Sequence, residues 1–432
     1  MGGETSSDSK SESKPVSFAE AARFWIELGF ISFGGPAGQI AIMQSECVDR
    51  RGWIGQYAFL SGLNYCMQLP GPEAQQLAAY IGWRMHGLKG AVVAGIAFVV
   101  PGVALIVFLA WLAAAHGDST LIKAAFSGVK PVVVAIVIQA LWRIGKRTCN
   151  TPAGVVMAAA AFAALYFARL PFPAVILGAA VIGMAATRVP GIRFSSAAHG
   201  AGPPPAAVDA PGARGQVRRL VAMAVLFALL WVVPVGAVIA VFGAEPFADV
   251  ARLFTTAAFV TFGGAYAVLP YIADAGVNAY GWLTPGDMVN GLALAETTPG
   301  PLILVTTYVG YFAGWNGAGA AGLSPAAAGL VAAVLTTYVT FLPCFLFIIA
   351  GAPYVERVQT LAWARGALAA ITAAVVGVIL NLTVFLGGAV LLPATGGVDW
   401  TAAAVSAVAF ALLAWDRISI PWLVALGAAF GL

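Results

Sequence analysis

Two tripeptides, Pro70-Gly71-Pro72 and Pro299-Gly300-Pro301, interrupt apolar stretches of this 432-residue chain and stand where chemistry could be done. Neither proline offers a backbone N–H, and the glycine between them is free to turn left-handed. Proline is favoured at the first position of a helix, so a new helix is expected to start at Pro72. Its first free donors would be the N–H groups of Glu73, Ala74 and Gln75. A helix start carries unpaired N–H groups and about half a positive charge, which suits a tetrahedral oxyanion. The pairs Gly34-Gly35 and Gly263-Gly264, each 36 positions ahead of a break, would let backbone approach such a ligand, with the hydroxyls of Ser32 and Thr261 beside them. The expected binding set is therefore Ser32, Gly34, Gly35, Pro70, Gly71, Pro72, Glu73, Ala74, Gln75, Thr261, Gly263, Gly264, Pro299, Gly300 and Pro301. One motif alone could be a mere kink with small-residue packing. Two motifs at one spacing favour a site.

Ionisable side chains inside apolar stretches are the candidates for coupling or gating, since each costs about 2.5–3.5 kcal/mol to insert. They are the carboxylates Glu27, Glu73 and Glu296, the symmetric cations Arg23 and Arg252, and Lys130, just before Pro131. Snorkelling to headgroups is the alternative for the three cations; Glu73 and Glu296 stand too close to the breaks for it. Histidines fall at segment ends (His86, His116) or outside the apolar stretches (His199). The cysteines Cys47, Cys66, Cys149 and Cys344 lack paired spacing for zinc or a disulfide framework. Neither a nucleophile–base pair nor a metal cluster is expected at depth, so the sequence reads as no enzyme, with no metal and no cofactor.

The elements that must hold these residues are membrane helices. Hydrophobic residues make up 61% of the chain and charged ones 9%, against roughly 25% charged in a soluble domain. Runs such as 90–115 and 220–242 exceed the ~20 residues needed to cross the hydrocarbon core. A net charge of +4, spread through loops, gives nucleic-acid binding no support. The first fifteen residues lack the pattern of a secretory signal and are expected to be a disordered cytoplasmic tail. Three consecutive prolines, Pro203 to Pro205, mark a linker.

The chain repeats itself. Phe33-Gly34-Gly35 recurs as Phe262-Gly263-Gly264, an offset of 229, and the same offset carries Gly52-Trp53 onto Gly281-Trp282 and the first break onto the second. The expected divisions are a tail at 1–15, a first repeat at 16–192, a linker at 193–216, an extra membrane segment at 217–246 and a second repeat at 247–432. Arg143, Lys146 and Arg147 mark one cytoplasmic loop, and Arg188, Arg193, Arg214, Arg218 and Arg219 another. Loops at 314–324 and 391–399 lack Lys and Arg and read as external, while Arg357 and Arg417 mark internal turns. The extra segment then makes the second repeat start outside. The expected fold is all-α: a polytopic transmembrane helical protein of two inverted-topology repeats with broken helices, N-terminus cytoplasmic and C-terminus external. Segments 18–48 and 54–86 and their partners are either re-entrant hairpins or broken spans. Paired breaks in inverted repeats are the sequence pointer to a transporter's central site.

At these residues the chain resembles the chromate ion transporter family in its long, two-domain form. The resemblance rests on Phe-Gly-Gly in each half, on Gln68-Leu69-Pro70-Gly71-Pro72-Glu73-Ala74 and on Pro299-Gly300-Pro301, and it spans the chain from about Phe18 to Phe430. It implies an inner-membrane protein that exports chromate and gives chromate resistance, with sulfate as the natural competitor. The partners expected are these anions, membrane lipids and a second copy of the chain in a homodimer. The halves differ: Glu73 has Leu302 as its counterpart, Gln68 has Thr297, and Glu296 stands at the position of Met67. No Walker-type loop is present. Membrane potential or a proton gradient is the expected driver, because a dianion leaving a negative interior gains ~4.6 kcal/mol per 100 mV. A sulfate or other oxyanion transporter on the same scaffold is the alternative, and a membrane-embedded enzyme or scaffold the reading from another class.

Overall fold

The computed structural model describes residues 16–33, 35–189, 194, 213–351, 361–392, 396–415 and 417–432. The expected tail, Gly34, most of the expected linker including Arg193, and Arg357 lie outside the described residues. In chain order the first half holds α1 (Phe18–Ile31), α2 (Gly35–Gln44), α3 (Gln56–Cys66), α4 (Glu73–His116), α5 (Thr120–Thr148), α6 (Pro152–Tyr166) and α7 (Phe172–Ala186). Next comes α8 (Ala213–Phe242), which starts inside the stretch expected to be linker. The second half holds α9 (Phe247–Val260), α10 (Leu269–Ala273), α11 (Pro285–Thr297), α12 (Val305–Asn316), α13 (Ala318–Ala321), α14 (Pro325–Gly351), α15 (Ala362–Leu391), α16 (Trp400–Ala414) and α17 (Ile420–Gly431). No strand occurs among the described residues. Among the described residues five helices, α4, α5, α8, α14 and α15, are long and apolar enough to cross a membrane. The chain is an all-α, multi-pass membrane protein.

The segments ahead of the long spans are helical hairpins. Ser17 caps α1 by accepting the Glu20 N–H (3.2 Å). Ala21, Phe24, Trp25 and Leu28 then recur at helical spacing and face inward, leaving Ile26 and Phe30 exposed on the other side. The chain turns at Ser32 and comes back through α2 and a π-helical turn (Ser45–Arg50), which brings Trp53 edge-on to Phe24 at 5.3 Å. In the second hairpin α3 and the first arm of α4 run antiparallel, so that a β-carbon on Gly62 would meet the Tyr80 ring at 2.2 Å. The chain reverses again at His86 and Gly87 (φ +60°), and the second arm of α4 packs back on the first, with Gly82 against Gly90.

The duplication is legible in the backbone. Helix α9 repeats α1 at an offset of 229, and the π-turn Asp274–Ala279 repeats Ser45–Arg50 at the same offset. The Trp53 N–H donates to the Cys47 carbonyl at 2.8 Å, and its counterpart Trp282 donates to Gly276 at 2.7 Å.

The core joins the halves through their central helices. α5 packs on α15, α16 and α17, while α15 packs on α5, α6 and α7. Lipid tails are as apolar as leucine, so helices in a bilayer associate by close packing, which small residues permit. A β-carbon on Gly128 of α5 would lie 2.1 Å from the Gly427 carbonyl of α17, and one on Gly366 of α15 would lie 2.6 Å from the Gly183 carbonyl of α7. By contrast α8 turns Val225, Leu229, Val232 and Val233 outward, as a helix at the lipid boundary would. Its tie to the body includes a hydrogen bond from Trp231 Nε1 to Thr255 (2.8 Å).

Candidate functional site

The two breaks are buried and bond crosswise to the hairpin tips. The Gly71 N–H donates to the Thr261 carbonyl at 2.7 Å. In the equivalent place the Gly300 N–H donates to the Ser32 carbonyl (3.0 Å) and lies 3.2 Å from the Ser32 hydroxyl. Each break thus holds the first hairpin tip of the other repeat. Gly71 (φ +119°) and Gly300 (φ +98°) take conformations that a side chain would disfavour. The Gln39 amide bridges the Ser32 carbonyl (3.0 Å) and the Gly300 carbonyl (2.7 Å), and the Gln76 amide donates to the Pro70 carbonyl (2.7 Å). Each break also rests on a long helix of the other half. A β-carbon on Gly71 would meet Cys344 Sγ of α14 at 2.7 Å, and one on Gly102 of α4 would meet the Pro299 carbonyl at 2.2 Å.

This lock divides the expected binding residues. Gly71, Gly300, Ser32 and Thr261 spend their donors within the protein: Ser32 Oγ faces the Gly29 carbonyl at 3.5 Å, and the Thr261 hydroxyl donates to the Ala257 carbonyl. Pro70, Pro72, Pro299 and Pro301 shape the turns around them. The start of α4 is different. Pro72 is its extended N-cap residue and supplies no side-chain cap, so the N–H groups of Glu73, Ala74 and Gln75 lack an intrahelical or capping partner. The Gln75 side chain is fully buried, and neither its Nε2 nor its Oε1 has a hydrogen-bond partner. Buried polar atoms are almost always paired, by ordered water or ligand where protein does not serve. Here, then, is the set of donors free to take an anion.

Around this helix start the halves differ. Glu73 Oε1 lies 4.0 Å from where a β-carbon of Gly264 would stand, so it faces the tip Gly263–Gly264 of the second repeat. Among the described residues no side chain pairs with its carboxylate. Gly35, at the other tip, is partly exposed. In the second repeat Pro301 leads into a short 3₁₀ turn, Leu302–Leu304, before α12, and Leu302 is buried where Glu73 would be. The second break is thus plugged by a leucine.

Glu296 is 7% exposed and accepts a hydrogen bond from the Tyr266 hydroxyl, which ties the two hairpins of the second repeat together. The cation acting on it is Arg143 of α5, not Arg252. Arg23, Glu27 and Arg252 are exposed on the outer faces of α1 and α9. Lys130 reaches the start of α11, where its Nζ would lie 3.3 Å from a β-carbon on Gly286. Gln39, Gln76, Tyr266 and Arg143 join the candidate residues from the structure alone. A glutamine inside an apolar stretch was the available signal for the first two. Among the described residues no group of three His, Cys, Asp or Glu could hold a metal ion.

Comparison with known proteins agrees with a transporter built on two related halves. The chain is 29% identical to the chromate transport protein of Pseudomonas aeruginosa over 86% of its own length and 82% of that protein's. It is 26% identical to the chromate transport protein of Cupriavidus metallidurans over 95% and 91%, and 25% identical to a probable chromate transport protein of Synechococcus elongatus over 85% and 84%. No solved structure matches. The sequence profile of the chromate transporter family matches residues 19–184 and 248–432, so it covers both hairpin pairs, both breaks and the interlocked long helices, and the chain belongs to the chromate transporter family, whose members are transporters and not enzymes.

Proposed function

We propose that this chain exports chromate across the inner membrane and seats the anion at the N-terminus of α4. The observation that carries the proposal is the reciprocal bonding of the breaks, which lodges an uncapped helix start beside the meeting point of the halves. Backbone N–H groups and the Gln75 amide are neutral donors suited to a tetrahedral dianion. The substrate follows from the relatives, which are named as chromate transport proteins. Export follows from energetics: an inside-negative potential of 100 mV drives a dianion outward with ~4.6 kcal/mol. The test is transport by the purified protein in proteoliposomes. Chromate should leave vesicles faster when the potential is negative inside, and excess sulfate should slow it, because both anions present tetrahedral oxygens and two charges. A flux indifferent to potential would remove the driver. A flux indifferent to a large sulfate excess would mean that the site reads something besides shape and charge.

We also infer that the two repeats are inverted in the membrane. α5 and α11 lie parallel, since Lys130 meets the first turn of α11 and Arg143 acts on Glu296 in its last. α3 runs with the second arm of α4, which a turn at Gly117–Ser119 joins to α5 as the next crossing. α3 and its counterpart α11 therefore enter from opposite faces. A reporter fused near Gly202 should be cytoplasmic and one near Gly317 external. Finding both on one face would end the inverted arrangement.

A further inference from the structure

The face that α14 turns toward the first break is polar, and its equivalent in the other half is not. Thr336, Thr340 and Cys344 follow one another at one-turn intervals along α14, and all three are buried, at 0%, 1% and 1% exposure. Cys344 stands against Gly71 at the break, within reach of the Gln76 amide. Thr336 stands against Gly310 of α12, where a β-carbon would be 2.0 Å from its hydroxyl. The hydroxyls of Thr336 and Thr340 have no hydrogen-bond partner, nor has Gln76 Oε1, nor the hydroxyl of Tyr308 on α12. A threonine in a membrane helix can satisfy its hydroxyl on the carbonyl one turn back, as Thr337 does on Ala333 at 2.9 Å. Thr336 and Thr340 do not.

The other repeat shows what a sealed version looks like. Past the breaks the repeats align one position short of the 229 offset, Tyr80-Ile81-Gly82 on Tyr308-Val309-Gly310, so Gly82 is the counterpart of Gly310, and it packs against Ala94, as Gly310 packs against Thr336. One and two turns further along α4 stand Phe98 and Gly102, and Gly102 abuts the second break as Cys344 abuts the first. Ala94 and Phe98 are fully buried and apolar. A buried hydroxyl left unpaired costs about 1–3 kcal/mol, and the apolar side chains of the first repeat would avoid that cost at no loss of packing. Polar atoms retained in such a place are served by something that enters from outside the protein fold: the hydroxyls can donate to water or to an oxyanion, and the Gln76 oxygen can accept from water.

We propose that Thr340 and Thr336 line a hydrated half-path for the oxyanion, leading from the break at Gly71 along α14 toward its N-terminal end. Under the topology proposed above that end is external, so the path is the anion's exit, while the apolar file Ala94–Phe98 keeps the other half closed. The face on which the path opens rests on that topology; the existence of the path does not.

Cysteine accessibility tests the two parts separately. In a chain with Cys47, Cys66 and Cys149 replaced, Cys344 kept and transport retained, Thr336→Cys and Thr340→Cys should react with small, charged thiol reagents beyond the level of that parent chain, whereas Ala94→Cys and Phe98→Cys should not. Chromate should protect the reactive positions. Reaction only from the cytoplasmic face would overturn the topology and leave the path standing. Inert cysteines at both threonine positions, equal to those at 94 and 98, would overturn the path. Should that parent chain not fold, Thr336→Val and Thr340→Val in the native chain keep the question open to measurement. They preserve shape, so a several-fold loss of chromate flux at unchanged abundance supports the path, and unchanged flux removes it.

Discussion

Gly102→Ala is expected to stop chromate transport while leaving the protein in the membrane. Gly102 lies in the second arm of α4, and the methyl group would come within 2.2 Å of the Pro299 carbonyl oxygen and 2.6 Å of Leu304 Cδ1. A backbone oxygen cannot move aside as a side-chain tip can, so the second break must shift bodily. That break supplies the Gly300 N–H and carbonyl bonded to Ser32 and Gln39. Overpacking of this kind costs about 1–3 kcal/mol, a destabilisation that a multi-pass protein can survive. Function has less slack, because the same displacement breaks one of the two bonds that join the hairpin tips. Gly236→Ala in α8, where a β-carbon meets nothing within 4 Å, is the control. Flux through both variants, normalised to protein abundance, decides the matter: near-normal flux for Gly102→Ala would mean that the breaks tolerate play and do not act as a fixed centre.

The breaks were legible in the sequence because their signal is local. Pro-Gly-Pro inside an apolar run forbids a continuous helix whatever surrounds it; the new helix expected from Pro72 is present one residue later, from Glu73, with Pro72 as its extended N-cap. The repeat offset was equally local, since matching tripeptides need no knowledge of contacts, and it reappears as the offset between α1 and α9. What the sequence left undecided was which way the early segments run, and the structure makes them hairpins, turning at Ser32 and at the first break. The crosswise bonding was out of reach for another reason. Gly71 meets Thr261, and Gly300 meets Ser32, 190 and 268 positions away in the chain, and nothing in a neighbouring residue records a partner so far away. The same distance hid Arg143. Its position after α5's apolar stretch marked it as a loop charge, yet the packing of α5 on α11 makes it the cation for Glu296. Glutamines 39, 75 and 76 carried a readable signal, an amide in an apolar run, and all three are buried; only their hydrogen bonds separate Gln39 and Gln76, whose amides donate to carbonyls at the breaks, from Gln75, whose amide is left without a partner.

Asymmetry between the repeats is the feature that turns this fold toward function. The first break opens into an uncapped helix bearing Glu73, and the second into a 3₁₀ turn plugged by Leu302. The polar face of α14 belongs to the open break, and the apolar face of α4 to the plugged one. A symmetric protein would offer two equivalent half-sites with the same affinity on each. On the proposed reading, duplication supplies the frame, and divergence leaves one anion site on it.

Glu73→Gln is expected to flatten the pH dependence of chromate flux. Glu73 is the first residue of α4, beside the donors that would take the anion and facing Gly264 of the opposite tip. It makes no cap, and no charged side chain among the described residues offsets it. Two unit charges about 5 Å apart at an effective dielectric of about 20 repel by roughly 3 kcal/mol, and a dianion would feel about twice that. An ionised Glu73 and a bound chromate therefore exclude one another unless the carboxylate swings away. In the native chain flux should fall as pH rises through the range where this carboxyl titrates, because each ionised copy closes its own site. Glutamine keeps the shape and the hydrogen-bonding capacity but cannot ionise, so the variant should keep the low-pH flux across the whole range. Flux measured in proteoliposomes at fixed potential and varied pH separates the outcomes. A variant that retains the native pH profile and merely accumulates to a lower level would leave Glu73 a structural residue and send the search for a pH sensor to Glu296, the buried carboxylate held by Tyr266.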